Sequence, residues 1–404
     1  MLRERRAAAR IAIDYTSAVR QGGGIGRYTR ELVRALVAQD PSSQYTLLVA
    51  DPRPSPASLA PNARFRRVPV ADVWLQRLWH RLRLPLPVEW LAGDFDLFHQ
   101  PDFVLPPLRR GVPGLLTVHD LTFVRDPDSA EPSLRRYLNR VVPGSVARAA
   151  HVLADSAATR DDLIREYGTS PEKITVLYPG VDARFQPQDD PAERAQVRGR
   201  YGIPEGPFVL SVGTLQPRKN YVRLIQAFAR IANLRAQQLP VDSTTSTPPG
   251  LADASPLLII AGGRGWLYDE IYAEVERQGL TGRVLFPGFV ADGDLPALYR
   301  AAGVFAYPAL YEGFGLPVLE ALACGTPAVT SDVSSLPEVA GDAALQVDPT
   351  SVDALAAELT RLLTDNALRA DLRTRGPAQA RKFTWESAAG QLLDIYRKIV
   401  DQSR

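Results

Sequence analysis

Cysteine is almost missing from this chain of 404 residues: Cys324 stands alone, which excludes intramolecular disulfides and any cysteine-rich zinc site. Histidine is nearly as scarce, and its four copies, His80, His99, His119 and His151, show no metal-ligand pairing at short spacing. Neither sign of charge dominates. A net charge of +2 creates no global field for a polyanion, so no nucleic-acid partner is expected. No apolar run approaches the ~20 residues that span a bilayer. The opening stretch MLRERRAAARIAIDYT passes from basic residues into a strand pattern rather than a signal-peptide core, and a cytoplasmic protein is expected.

What is present is ordinary soluble composition, 45% hydrophobic and 23% charged, in a chain longer than one core usually supports. Short β-rich runs alternate with amphipathic stretches. RIAIDY, YTLLVA, RFRRVPV, DLFHQ, LLTVHD, HVLADS and ITVLYPGV read as strands, with helical patterns over 26–39, 133–148 and 156–167. After a polar stretch the alternation restarts with FVLSVG, LLIIAGG, VLFPGFV, GVFAYPA, PAVTSD and ALQVDP. Strand then helix, repeated, predicts parallel sheets covered on both faces. Two doubly wound α/β domains are expected, 1–185 and 186–383, facing each other across a cleft and followed by an amphipathic helix over 384–404. The Pro/Ser/Thr-rich segment 237–256 has no apolar period and reads as an inserted surface loop.

The most informative stretch is YEGFGLPVLEALACGTP, which sets Glu312 and Glu320 on either side of a bare Gly-Phe-Gly-Leu-Pro turn. Pro317 suits the start of a helix, so the helix should begin near Leu316 and hold Glu320 in about its first turn. Backbone N–H groups at such a start attract anions, while an ionised carboxylate accepts only hydrogen bonds and suits vicinal hydroxyls. Phosphate beside diols describes a sugar nucleotide. Arg218 and Lys219 of GTLQPRKN precede a second helix start and could meet the same diphosphate. Each feature also has a plainer reading: Glu320 as a complement to the helix dipole, and Arg218 and Lys219 as solvated surface residues.

YEGFGLPVLEALACGTPAVTSD, with SVGTLQPRKN, FPGFV, LYPGVD and GGIGRYTREL, resembles the retaining GT-B glycosyltransferases of family 4, over nearly the whole chain. The flavour is that of bacterial mannosyl- or rhamnosyl-type transferases of polysaccharide assembly. The resemblance implies two Rossmann-like domains and a hexose moved from a nucleoside diphosphate sugar, with GDP-mannose as the expected donor, to a glycan or lipid-linked acceptor. It implies ribose binding by Glu320 and contact of Glu312 with the transferred sugar. Gly313, Phe314, Gly315 and Leu316 would meet the distal phosphate, Arg218 and Lys219 the leaving diphosphate, and Gly288, Phe289 and Val290 the base. His119, ending LLTVHD, would touch a sugar hydroxyl, and His99 would line the acceptor side. Gly24, in a glycine-rich loop lacking the third glycine of a dinucleotide fingerprint, belongs either to a loop closing over the donor or to a plain connection.

The segment 72–91 mixes Trp74, Trp79 and Trp90 with Arg77, Arg81 and Arg83, and reads either as a membrane-interface segment on the inner face of the cell membrane or as a helix packed on the first domain. Two D-x-D triplets, at 94–96 and 292–294, do not support a metal: the first leads into a strand, and the second sits where Asp caps a helix. No metal and no cofactor are expected. Rival readings are a nucleotide-sugar epimerase or phosphorylase on the same fold, and a silent sugar-nucleotide-binding subunit.

Overall fold

In the computed structural model the described residues are 8–51, 58–68, 70–71, 74–75, 78–79, 84–238 and 256–403, those of 233–238 by backbone alone. The chain forms two compact units. One comprises Met1–Val124, Pro132–Asp182 and Phe383–Arg404; the other comprises Arg125–Glu131 and Ala183–Lys382. The short segment Arg125–Glu131 joins the second unit, where the Trp266 indole donates to the Ser129 carbonyl at 2.7 Å, a grouping that no shift in composition announces.

Each unit is an α/β sandwich around one sheet, and every pairing between the strands is parallel. In the first unit the strands are β1 Arg10–Asp14, β2 Gln44–Ala50, β3 Ala63–Val68, β4 Leu97–Gln100, β5 Gly114–Val118, β6 His151–Ala154 and β7 Ile174–Val176, in the order β3-β2-β1-β4-β5-β6-β7. In the second they are β8 Phe208–Val212, β9 Leu257–Ala261, β10 Val284–Gly288, β11 Val304–Tyr307, β12 Ala328–Ser331 and β13 Leu345–Val347, in the order β10-β9-β8-β11-β12-β13. All thirteen expected strand runs are strands. Both orders reverse direction once, between β1 and β4 and between β8 and β11. Connections leave to opposite sides at such a point, so a crevice opens at the carboxyl ends of those strands.

In the first unit the helix Gly24–Gln39 buries Tyr28, Leu32, Val33, Leu36 and Val37, one face at three- and four-residue steps. Against the same core lies the last helix, Trp385–Ser403, through Trp385, Leu392, Tyr396 and Ile399. Burial of each large side chain contributes about 1.5–3 kcal/mol. The chain approaches this helix so closely that a Cβ on Gly180 would lie 2.1 Å from the backbone nitrogen of Trp385, which only glycine permits. In the second unit the helices Tyr221–Gln238 and Val352–Thr364 cover the sheet through Leu224, Phe228, Leu355 and Leu359.

Two sequence expectations need adjustment, and a third lies partly outside the described residues. The backbone stays helical through Gln238, so the expected insertion loses its first two residues, and 239–255 lie outside the described residues. Of the segment 72–91, Arg77, Arg81 and Arg83 also lie outside them. The described part includes Trp79, whose indole donates to the Leu86 carbonyl at 2.8 Å, and the side chains of Trp74 and Trp90, 57% and 62% exposed. Asp294 precedes the helix Leu295–Ala301 but does not cap it: its carboxylate is drawn instead to Arg200 and to the Tyr201 hydroxyl, at 2.6 and 2.7 Å. In the other D-x-D triplet, Asp94 and Asp96 are held by Arg109 and Arg10.

Candidate active site

The second unit gathers its charged groups at its switch point. After β8 a turn over Pro217–Lys219 ends at Asn220, whose backbone is left-handed at φ 61° and locked by its side-chain amide, which donates to the carbonyls of Pro308 and Pro349 at 2.9 and 2.7 Å. That lock delivers Arg218 and Lys219 to the end of β11. There Glu312 receives both: Arg218 Nη1 stands 2.8 Å from its Oε1, and Lys219 Nζ bonds the same oxygen. Tyr307, the last residue of β11, closes the cluster, accepting from Lys219 and donating to Glu312 Oε1 at 3.1 Å. Glu312 and Lys219 are each 7% exposed. Burial alone would raise the Glu312 carboxyl, but the charges of Arg218 and Lys219 outweigh it and hold the group down to about 2. Two cations thus converge on one carboxylate in this cluster.

Glu312 is fixed through its backbone too, its N–H donating to the Ser334 hydroxyl at 3.0 Å, while the Ser335 hydroxyl is shared between the carbonyls of Glu312 and Phe314 at 2.9 Å each. The chain then turns at Gly315, φ 110°, which caps the helix Leu316–Ala323. A Cβ there would come within 2.7 Å of the end of the Leu336 side chain, which could shift, but the angle itself requires glycine. Because Gly315 is the cap and Pro317 the second helical residue, Glu320 falls in the second turn, not the first as the sequence suggested. Its buried carboxylate accepts from the Tyr299 hydroxyl at 2.9 Å.

Gly313, Phe314 and Leu316 flank this turn, with Phe314 buried. Gly288 ends β10 at φ 77°, and beyond it Phe289 is 65% exposed and Val290 buried. Arg218, Lys219, Glu312 and Tyr307 thus form one bonded group. Glu320 is held separately through Tyr299, and Gly288, Phe289 and Val290 follow another strand.

His119 and Gly24 belong to the first unit. Gly24 is the first residue of its helix, capped by Gly23. His119 follows β5, is buried, and has both ring nitrogens engaged: Nδ1 with Asp155 Oδ2 at 2.7 Å and Nε2 with the Pro101 carbonyl at 2.9 Å. His99 does not line the acceptor side as expected. It is 1% exposed, bonded to the Tyr396 hydroxyl at 2.7 Å and to Thr117 at 3.0 Å, and burial pushes its pKa down to about 3. Its role is to tie the last helix to the sheet. At the switch point of this unit lies a cavity of about 280 Å³ whose lining includes Asp14, Gln100, Asp102, Trp79, Phe103 and Tyr137.

Sequence reasoning missed Tyr299, Tyr307, Asp155 and this cavity. The tyrosines carry no local signal, since a buried tyrosine in a strand or helix looks like any core aromatic until its hydroxyl is seen to meet a carboxylate.

Sequence models of two families match: "Glycosyl transferases group 1" over residues 193–379 and "Glycosyltransferase Family 4" over 22–185. O-antigen chain mannosyltransferase B of Escherichia coli is 34% identical over 391 residues, covering 93% of this chain and 96% of its own. A D-inositol 3-phosphate glycosyltransferase of Salinispora tropica is 32% identical over 412 residues, covering 95% and 82%. Among solved structures, sucrose-phosphate synthase of Thermosynechococcus elongatus aligns at TM-score 0.72 and 22% identity over 98% of this chain and 100% of its own. HepE of Anabaena, in complex with UDP and glucose, aligns at 0.70 and 19% over 96% and 100%. The expected GT-B fold class agrees with these alignments.

Proposed function

The chain belongs to the glycosyltransferases of family 4 and group 1, and from that premise we propose that it is a retaining hexosyltransferase that takes mannose from GDP-mannose and passes it to a hydroxyl of a glycan or lipid-linked acceptor, without a metal or cofactor. The observation that carries this reading is the buried Arg218–Lys219–Glu312 cluster at the switch point of the second unit. Its two cations, beside the glycine-capped turn at Gly315, suit the diphosphate of a sugar nucleotide. The same charge favours the transition state, because the leaving diphosphate gains negative charge as the anomeric C–O bond breaks. The acceptor oxygen bonds the anomeric carbon, and its proton passes to the departing phosphate oxygen.

Around that centre, Glu312 faces the transferred sugar, and Gly313, Phe314, Gly315 and Leu316 meet the distal phosphate. Glu320 takes the ribose hydroxyls. An ionised carboxylate accepts several donors at once, so Tyr299 can aim Glu320 while it binds ribose. The exposed ring of Phe289, with Gly288 and Val290, flanks the base. In the first unit, Gly24, the first residue of its helix, is assigned to a donor phosphate and His119 to a sugar hydroxyl. The 280 Å³ cavity suits a pyranose of the acceptor, with Asp14 and Asp102 for hydroxyls and Trp79 for a C–H face. Exposed Trp74 and Trp90 face the inner surface of the cell membrane, where a lipid-linked acceptor resides.

The test is calorimetric donor binding and product analysis with a panel of nucleotide sugars, wild type beside Glu320→Ala. Loss of charged hydrogen bonds worth about 1.5–3 kcal/mol should weaken donor binding roughly 10- to 100-fold. Unchanged binding removes the ribose assignment. Conversion of the donor without any acceptor would replace transfer by epimerisation.

A further inference from the structure

The bonding around His119 fixes which protons its ring can carry. Nε2 faces the carbonyl oxygen of Pro101 at 2.9 Å, and a carbonyl only accepts, so Nε2 carries a proton. Nδ1 faces Asp155 Oδ2 at 2.7 Å. Two arrangements satisfy that contact: an imidazolium donating to a carboxylate, or a neutral imidazole accepting from a carboxylic acid. The usual order of basicity selects the first: an imidazole ordinarily holds a proton up to about 6.5 and a carboxylate only to about 3.9, so the shared proton rests on the ring.

The other oxygen of Asp155, Oδ1, is buried without a hydrogen-bond partner, and burial raises the Asp155 carboxyl; His119 is the group that opposes that rise. A second carboxylate, Asp102, acts on the ring in the same direction. Burial pushes the imidazole down, but Asp155 outweighs it, and His119 is raised to about 9. The described rings packed on His119 carry no positive charge. Tyr28 and Phe103 set their rings edge-on at 4.9 and 5.6 Å, the Tyr28 hydroxyl is kept protonated by burial, and buried His99 is neutral at physiological pH. Asp120 raises Asp155 and so works against the pair, and the Thr159 hydroxyl donates to the His119 carbonyl at 3.2 Å.

We infer that His119 is an imidazolium at neutral pH, clamped between Asp155 and the Pro101 carbonyl, and that Asp155, at the start of the turn after β6, is a positioning residue that keeps it charged. Such a ring has no lone pair and cannot serve as a base. It is a fixed positive charge at the carboxyl end of β5, and the one N–H it can redirect, Nε2–H, is a donor for a hydroxyl or phosphate oxygen. The inference uses the glycosyltransferase reading only for its effect on rate; the charge state is a property of the folded protein.

The experiment is nitrogen-15 NMR of histidine-labelled full-length protein, with His119 identified by the signal lost in His119→Gln, alongside pH–rate profiles. In the wild type, His119 should show both nitrogens protonated at pH 7.5 and should titrate near 9. Asp155→Asn should render the ring neutral at pH 7.5 and move the alkaline limb of kcat down by at least about one pH unit, a tenfold loss one unit above the new limb. Asp155→Glu should restore the charge in part. A neutral His119 in the wild type at pH 7.5, or a cation that persists in Asp155→Asn, overturns the proposal. Should Asp155→Asn fail to fold, the wild-type titration alone decides. If no acceptor yields product, the transferase reading falls while the NMR result still judges the charge.

Discussion

Replacing Glu312 by glutamine removes the carboxylate on which Arg218 and Lys219 converge, and leaves both cations facing a neutral amide. Burial raises the Glu312 carboxyl, yet the two cations bring it from the ordinary 4.5 down to about 2. A folded-state value below the unfolded one means that folding favours the ionised form. The stabilisation is therefore complete above 4.5 and is lost as pH falls toward 2. About two and a half units at ~1.4 kcal/mol each amount to roughly 3–4 kcal/mol, of which somewhat under half is gone by roughly pH 3.5. Stability of the second unit alone is read from urea-dependent hydrogen exchange on peptides of β8 and β11. At pH 7 the Glu312→Gln variant should be less stable by about 3 kcal/mol, within the range for breaking a buried pair, and its deficit should shrink as pH falls. Adding Lys219→Met should recover part of the loss, since one uncompensated charge disappears. A deficit that stays constant from pH 7 to roughly pH 3.5 would refute the assignment of Glu312 as the ionised partner of both cations.

Two further outcomes are expected. Tyr299→Phe deletes the hydroxyl that donates to Glu320 and should cost the second unit roughly 1.5–3 kcal/mol, with a several-fold loss in GDP affinity by calorimetry; unchanged affinity would show that Tyr299 does not aim the ribose-binding carboxylate. The purified protein should float with phosphatidylglycerol vesicles at low salt and do so less well after Trp74→Ala and Trp90→Ala; no binding by the wild type removes the membrane reading.

Much of the architecture was legible because the signals are local. An unbroken buried run such as LLIIA needs only its own residues to read as a central parallel strand, and its repetition with intervening helices implies two doubly wound units. The turn at Gly315 was legible for the same reason, since glycine before Leu-Pro at a helix start is a short-range pattern. Partners were not legible. Lys219 and Glu312 lie 93 residues apart, and neither says that the other neutralises it. Asp294 looked like a helix cap until Arg200 and Tyr201 were seen to take its carboxylate. His99 and His119 have similar sequence settings at strand ends, yet one faces a hydroxyl of the last helix and the other a buried carboxylate, with opposite consequences for charge.

By itself, then, the order of apolar runs and turn residues determined the fold class, the strands and the two loops on which the candidate site is built, because backbone hydrogen bonding and burial follow from local pattern. Only the tertiary structure decided which groups carry charge, because ionisation depends on what stands within a few ångströms after distant segments meet, and on how much water has been excluded from between them.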